Sequence, residues 1–272
     1  MVNFSLLMCL YEKEDPRHLK MCLESLSDLA AQPDEVVVVK DGPLTNELEE
    51  VLACHQFRGD VNFVSLPENV TLGPARAAGV EAAKYEWVAI MDSDDVCKPD
   101  RFEKQLRMIE ENPELGLIGG QIAEFIDSPD IVVASRTVPT AHADIVRFAK
   151  VRNPFNHMTV MFKREAVLDA GNYRYFPWFE DYDLWTRMIN NGTICANHTD
   201  VLVDARVSRG TYERRRGRAY ISLEWQMQKQ LKDLGLTNSF EFLRNVVLRV
   251  PVRLLPGKAL AGVYKGFARK RS

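Results

Sequence analysis

The chain has 272 residues, 46% of them hydrophobic and 27% charged, enough length for a large core and the composition of a globular protein. It contains no run of ~18 apolar residues, so no segment is expected to span a membrane. Its five cysteines (9, 22, 54, 97 and 195) form no CxxC pair, which argues against a zinc ribbon and for a reduced, cytoplasmic chain. The net charge of −3 hides an asymmetry: residues 1–204 carry 19 Lys/Arg and 34 Asp/Glu, residues 205–272 carry 16 and 4. The C-terminal quarter is therefore suited to meet something anionic: the acidic body, a phosphate-bearing substrate or an anionic membrane surface. No feature points to nucleic acid.

The N-terminus lacks a basic n-region and reads as a first strand over 4–10, not as a signal peptide. Asp15-Pro16 opens a helix whose Leu19, Cys22, Leu23, Leu26 and Leu29 recur at helical spacing. Val36 to Val39 form a strand buried on both faces that ends at the turn Asp41-Gly42-Pro43. A helix over 44–54, a strand over 61–66, a small-residue helix over 73–84 and a strand over 87–91 follow. Four strand–helix alternations in about 95 residues predict a parallel, doubly wound sheet. In such sheets ligands bind beyond the carboxyl ends of the strands. Later elements are a helix from Pro99 to Asn112, a strand with a bend at Gly119-Gly120, a strand within 127–139, and a helix over 140–150. A strand over 158–162, a helix over 163–170, a helix to Asn190 and strand pieces at 193–196 and 201–207 complete the body. From about 211 the pattern is helical.

The stretch Val88-Ala89-Ile90-Met91-Asp92-Ser93-Asp94-Asp95 puts three carboxylates at the end of a buried strand. Bare charge is costly there, so the residues either cap the next helix or meet a cation such as Mn²⁺ or Mg²⁺ shared with a diphosphate. Asp41 is either a turn residue or an acceptor for a nucleotide base, and Arg76 either a surface residue or a phosphate contact near a helix start. Asp181, after Glu180, is either an N-cap or a base whose pKa is raised by the aromatic Pro177-Trp178-Phe179. His157 is either structural or a site residue. Arg214, Arg215, Arg216 and Arg218 are either a solvated face or a phosphate clamp. Neither a G-x-G-x-x-G nor a P-loop follows the first strand.

The order of VVVVKDG, LGPARAAG, MDSDD and FEDYDLWTRM resembles the family 2 glycosyltransferases, inverting enzymes of the GT-A fold, over about residues 3–210. Within that family it is most similar to non-processive transferases of bacterial capsule, exopolysaccharide and lipopolysaccharide synthesis, such as the amylovoran-type enzymes. The resemblance implies a Rossmann-like, mostly parallel sheet in residues 1–210, with a nucleotide-binding half (1–97) and an acceptor-binding half (98–210). Residues 211–272 would form a basic helical extension. It implies that Asp41 contacts the base of a nucleotide-sugar, most often uracil, with Arg76 near the nucleotide and Ser93 beside it. Asp92 and Asp94 would be the D-x-D pair, Asp94 the metal ligand, Asp92 facing ribose or metal, and Asp95 supporting. Asp181 would be the general base on the acceptor hydroxyl and Glu180 would orient it. His157, Arg206, Arg214 and Arg215 are candidate acceptor or diphosphate contacts.

Where the family often has R-x-H, this chain has Arg206-Val207-Ser208, and the arginine cluster is the candidate replacement. The Q-x-x-R-W of processive relatives is absent, which implies one sugar per encounter. The implied function is metal-dependent transfer from a nucleotide-sugar to a glycan, with a polyprenyl-diphosphate-linked acceptor as the expected partner. The C-terminal helices either bind an anionic membrane peripherally, at the inner face of the cytoplasmic membrane, or cap the acidic body. The alternatives are a sugar-phosphate nucleotidyltransferase and a catalytically silent nucleotide-sugar-binding scaffold.

Overall fold

The computed structural model describes residues 2–207 and 218–250. The apolar runs at the start of the chain become β1 (Phe4–Leu10), β2 (Glu35–Lys40), β3 (Asp60–Ser65) and β4 (Trp87–Ile90). These lie in the order β3-β2-β1-β4 and all pair in parallel. Between them run α1 (Pro16–Ser27), α2 (Asn46–Cys54) and α3 (Leu72–Ala82). Asp15 caps α1 by accepting the Arg17 N–H, and Pro16 occupies the first helical turn, where its missing donor costs nothing.

Side chains alternate across each strand. Leu6, Met8, Leu10, Val36 and Val38 face Leu19, Leu23 and Leu26 of α1 and Leu48 and Leu52 of α2. Leu7, Val37 and Val39 face Ala75 and Val80 of α3. Both faces are buried, which is why the strands read as unbroken apolar runs. Gly79 lets α3 settle onto the sheet: a Cβ there would run into Leu7 and Val39. Because α1 and α2 cover one face and α3 the other, the strand order reverses between β1 and β4. That reversal opens a crevice at the strands' carboxyl ends.

The second half completes a nine-stranded mixed sheet, β3-β2-β1-β4-β8-β6-β9-β5, with β7 paired to β6. The strands are β5 (Val96–Cys97), β6 (Leu115–Phe125), β7 (Val132–Arg136), β8 (Met161–Lys163) and β9 (Ile194–Arg206). The helices α4 (Arg101–Glu111), α5 (His142–Ala149), α6 (Arg164–Asp169) and α7 (Glu180–Asn190) cover it. β8 runs antiparallel to both β4 and β6, while β6 and β9 are parallel.

Three expectations need correction. β6 does not bend apart at Gly119-Gly120; it continues, and its pairing with β9 absorbs register shifts there. The two strand pieces at 193–207 are one strand. Residues 157–159 form a short 3₁₀ turn, so the strand expected from Met158 begins at Met161. Hydrophobic spacing cannot separate a turn from a strand over so few residues.

Beyond the sheet, α8 (Arg218–Asp233) and α9 (Ser239–Arg249) form a helical pair. Tyr220, Met227 and Leu231 of α8 make a small core with Phe179 and Tyr182. A capping box starts α9, with Asn238 and Glu241 each satisfying the other's backbone N–H.

Candidate active site

The carboxyl ends of β1, β2 and β4 lie side by side, since Leu10 pairs with Lys40 and Leu7 with Ile90. The loops after these strands therefore open onto one crevice. The charges of Arg76, Asp92 and Asp41 all act on the Cys9 thiol, which places the three groups around it. Burial pushes that thiol up to about 12, so it is no nucleophile at neutral pH.

Asp92 to Asp95 leave the end of β4. This end is fixed from within by Arg101, a fully buried residue that the sequence alone did not single out. Its Nη2 donates to the Ile90 carbonyl at 2.8 Å, and its Nε donates to Gln105 Oε1 at 3.0 Å. Gln105 in turn donates to the Thr159 carbonyl at 2.8 Å. From the other side comes Arg206, at the end of β9. Its N–H donates to Asp95 Oδ1 at 2.7 Å, its Nε to the Asp94 carbonyl at 3.1 Å, and its guanidinium lies over the Phe125 ring at 4.5 Å. Arg206 thus braces the acidic turn. Asp95 is buried, and burial with the charges of Asp94 and Asp92 holds its carboxyl well above the usual range.

Glu14 was missed in the sequence reading. It follows β1 and faces Ser93, Asp94 and Asp92. Burial and then Asp94 push its carboxyl up to about 7, while Ser93 acts to hold it down. Only the alignment of the β1 and β4 ends brings Glu14 there, and nothing in its local sequence marks it. Asp41 is buried, and its Oδ1 accepts the Val70 N–H at 2.6 Å, which holds the loop leading into α3. In that loop Thr71 has a positive φ of 75°.

Arg76 connects the two acidic segments. It is buried on α3, 4% exposed. Its Nη2 donates to Asp92 Oδ1 at 2.8 Å and its Nη1 lies 3.5 Å from Glu180 Oε1. Burial disfavours its charge, but Asp92, Tyr173 and Glu180 more than offset this and hold its pKa above the ordinary value.

Glu180 and Asp181 are the first two residues of α7, so Asp181 is not the N-cap; Phe179 holds that position. The helix N-terminus favours their negative charge. Asp181 Oδ2 accepts from Asn153 Nδ2 at 2.6 Å and its Oδ1 from the Tyr182 N–H at 2.7 Å. Burial raises its carboxyl despite Arg76 and these hydrogen bonds. Burial also pushes the Glu180 carboxyl up to about 7; Arg76 pulls the other way and Asp181 adds to the rise. Glu180 Oε2 is buried with no hydrogen-bond partner.

The loop before α7 holds a non-glycine strain point: Trp178, with φ 64°, is half-exposed two residues ahead of Glu180. For a bulky residue that conformation is costly. Gly73 at the start of α3 approaches the same loop so closely that a Cβ would collide with the Arg174 carbonyl.

His157 is buried, stacked on Trp185 and edge-on to Tyr173, each with centroids 6.0 Å away. Burial, with the charges of Arg76 and Arg101, holds its pKa well below the ordinary value, so the ring is neutral. Arg214, Arg215 and Arg216 lie outside the described residues, as does the side chain of Arg218.

The family model for glycosyl transferase family 2 matches residues 5–169, more than half of the chain. This chain is a family 2 glycosyltransferase. Over 262 residues the transferase is 37% identical to the amylovoran biosynthesis glycosyltransferase AmsE of Erwinia amylovora, covering 96% of this chain and 98% of that one. It is 32% identical over 268 residues to an Escherichia coli UDP-Gal:alpha-D-GlcNAc-diphosphoundecaprenol beta-1,3-galactosyltransferase, covering 98% and 97%. The S. aureus TarS 1-349 structure in complex with UDP-GlcNAc superimposes with a TM-score of 0.68 at 14% identity, over 98% of this chain and 74% of that one. The shared architecture is the GT-A fold. Its relatives thus include bacterial polysaccharide glycosyltransferases, and with the chain a family 2 transferase the nucleotidyltransferase and silent-scaffold alternatives give way.

Proposed function

We propose that this transferase moves one sugar from a nucleotide-sugar, with UDP as the nucleotide, onto a growing surface glycan carried on a polyprenyl diphosphate, with inversion at the anomeric carbon. It would work from the cytoplasm, peripherally on the inner face of the membrane. The observation that carries this reading is Arg76: one buried guanidinium contacts both Asp92, at the donor end of the sheet, and Glu180, beside the candidate base. The names of two relatives, one an amylovoran enzyme and one a UDP-Gal transferase acting on a diphosphoundecaprenol, support the donor and acceptor classes.

The donor set suits a divalent ion. Asp92 and Asp94 offer only hard oxygen ligands. Among the described residues no group of three or more His, Cys, Asp or Glu is arranged to hold an ion alone, so substrate oxygens would complete the shell. Mn²⁺ or Mg²⁺ held by Asp94 and Asp92 would neutralise charge on the departing nucleoside diphosphate. The chain supplies the rest. Asp41 and Arg76 bind the nucleotide. Asp181 takes the proton as the acceptor hydroxyl forms its bond to the anomeric carbon and the bond to the diphosphate oxygen breaks. Glu180 orients the acceptor.

One observation favours exchanging those last two roles. Both oxygens of Asp181 are engaged by hydrogen bonds, whereas Glu180 Oε2 has no partner and its carboxyl titrates near 7. A base poised near the working pH is the more effective one.

A thermal-shift screen of UDP, GDP, CMP and dTDP, each with and without Mn²⁺, tests the donor. Saturation at 100 times Kd adds about 2.7 kcal/mol of stability, and the expected result is a metal-dependent shift with UDP. Nucleotide release and glycan synthesis by Asp94→Ala and Asp181→Asn test the chemistry. Synthesis that survives both substitutions sinks the reading.

A further inference from the structure

α9 is built inside out. Its polar residues at 241, 245 and 249 share one stripe and face the protein. Asn245 is buried, and its Nδ2 donates to the Lys150 carbonyl at 2.8 Å and to Gln228 Oε1 at 3.0 Å. Glu241 pairs with Lys150 at 3.2 Å. Arg249 pairs with the buried Glu224 of α8 and donates to the Val151 carbonyl. The opposite stripe is apolar and faces outward: Phe240, Leu243 and Val247 are 75%, 59% and 60% exposed, and Leu248, 64% exposed, flanks the stripe beyond Arg244. Surface helices of globular proteins show the reverse arrangement. Trp225 of α8, 47% exposed, extends the patch by meeting Phe242 edge-on at 5.2 Å. Single exposed apolar side chains need no explanation, but a contiguous face does.

Charge identifies what covers it. Arg244 is exposed beside Leu243. The chain leaves α9 into residues 251–272, which hold six Lys/Arg and no Asp/Glu. A second copy of the chain would bring these cationic segments together. It would also need about 800 Å² on each partner, a large area for four side chains. No described helix is long and apolar enough to cross a bilayer, so the face suits a helix lying in the membrane plane.

We propose that the outward face of α9, formed by Phe240, Leu243, Val247 and Leu248 and extended by Trp225, inserts into the interface of an anionic lipid bilayer. Its biological purpose rests on the proposed lipid-linked acceptor; its physics does not.

The test uses the full chain and vesicles of phosphatidylcholine with or without phosphatidylglycerol. Wild type should co-sediment with the anionic vesicles and much less with the neutral ones. The variant Phe240→Glu/Leu243→Glu/Leu248→Glu should bind anionic vesicles at least tenfold less, with unchanged Tm and unchanged transfer to a water-soluble acceptor. Equal binding by variant and wild type overturns the proposal, as does a wild type that ignores anionic vesicles. A wild-type dimer that the variant converts to monomer, with neither binding lipid, overturns it in favour of self-association. Should the triple variant misfold, bromolipid quenching decides: wild-type fluorescence should be quenched on anionic vesicles more than that of Trp225→Phe, and equal quenching overturns the proposal. Loss of transfer to every acceptor alongside intact vesicle binding would instead count against the proposed function alone.

Discussion

At the end of β4 the acidic residues are held by polar groups reaching in from other elements: Arg206 of β9 on Asp94 and Asp95, and Arg76 of α3 on Asp92. At the start of α7 the two carboxylates sit instead at a helix N-terminus, where burial raises the pKa of both, and one oxygen of Glu180 has no partner. Both segments are acidic and both touch Arg76 or its neighbours, yet one is braced and the other is enclosed. Bracing fixes the acidic turn in place where a cation can be recruited. Enclosure makes a proton easier to hold, which a group that must accept one and release it requires.

The largest expected effect comes from removing the residue the two segments share. Arg76→Ala leaves Asp92 and Glu180 without their buried counter-charge, and breaking such a pair costs about 3–5 kcal/mol. Urea midpoints should fall accordingly and transfer should be lost. Arg76→Lys has a single point charge and should not restore both contacts.

Next is the enclosed side alone. Asp181→Asn should lower kcat by about 10²–10⁴-fold if Asp181 is the base, with donor KM nearly unchanged. If Glu180→Gln shows the larger loss in the same assay, the two roles are exchanged.

A smaller effect tests the approach of α3 to the α7 loop. Gly73→Ala puts a methyl group against the Arg174 carbonyl, an overpacking cost of about 1–3 kcal/mol. Acceptor KM should rise more than donor KM, because the displaced loop leads directly into Glu180 and Asp181. Equal changes in both would mean that the loop does not set acceptor binding.

The smallest effect is on pH-dependent stability. Glu180 holds its proton to about pH 7 in the folded protein against an ordinary value of 4.5. The folded state binds more protons than the unfolded chain between those values, so this group costs stability as pH rises through the window. Glu180→Gln should therefore melt a few degrees above wild type at pH 8, with the gain fading toward pH 5. A difference that does not change with pH would show that the carboxyl is not held protonated.

Much of the first half was legible because burial leaves a direct trace in the residues. Val36 to Val39 can only be a strand covered on both faces, and four acidic or turn residues at strand ends fall into one crevice once the strands are parallel. Arg76 was found, but as a nucleotide contact; its bond to Glu180 depends on how α3 meets α7, across about 100 residues of chain. Arg101 and Glu14 were illegible for the same reason. Each is an ordinary charged residue locally, and only the carbonyl of Ile90 or the side chain of Ser93 gives it a task. The left-handed backbone of Trp178 runs against local preference, so the sequence points away from it. In α9 the periodicity was visible, but periodicity does not say which stripe faces inward.

Tyr220 of α8 lies against Trp178 and Phe179, with ring centroids 5.5 and 5.4 Å apart. For protein engineering this makes the C-terminal helices poor material for trimming. A fragment ending at β9 would strip the cover from the loop that leads into Glu180 and Asp181, although the stretch matched by the family model would be intact. A chimera that borrows these helices from a relative would need to borrow the 173–179 segment with them, since the two surfaces fit as a single joint.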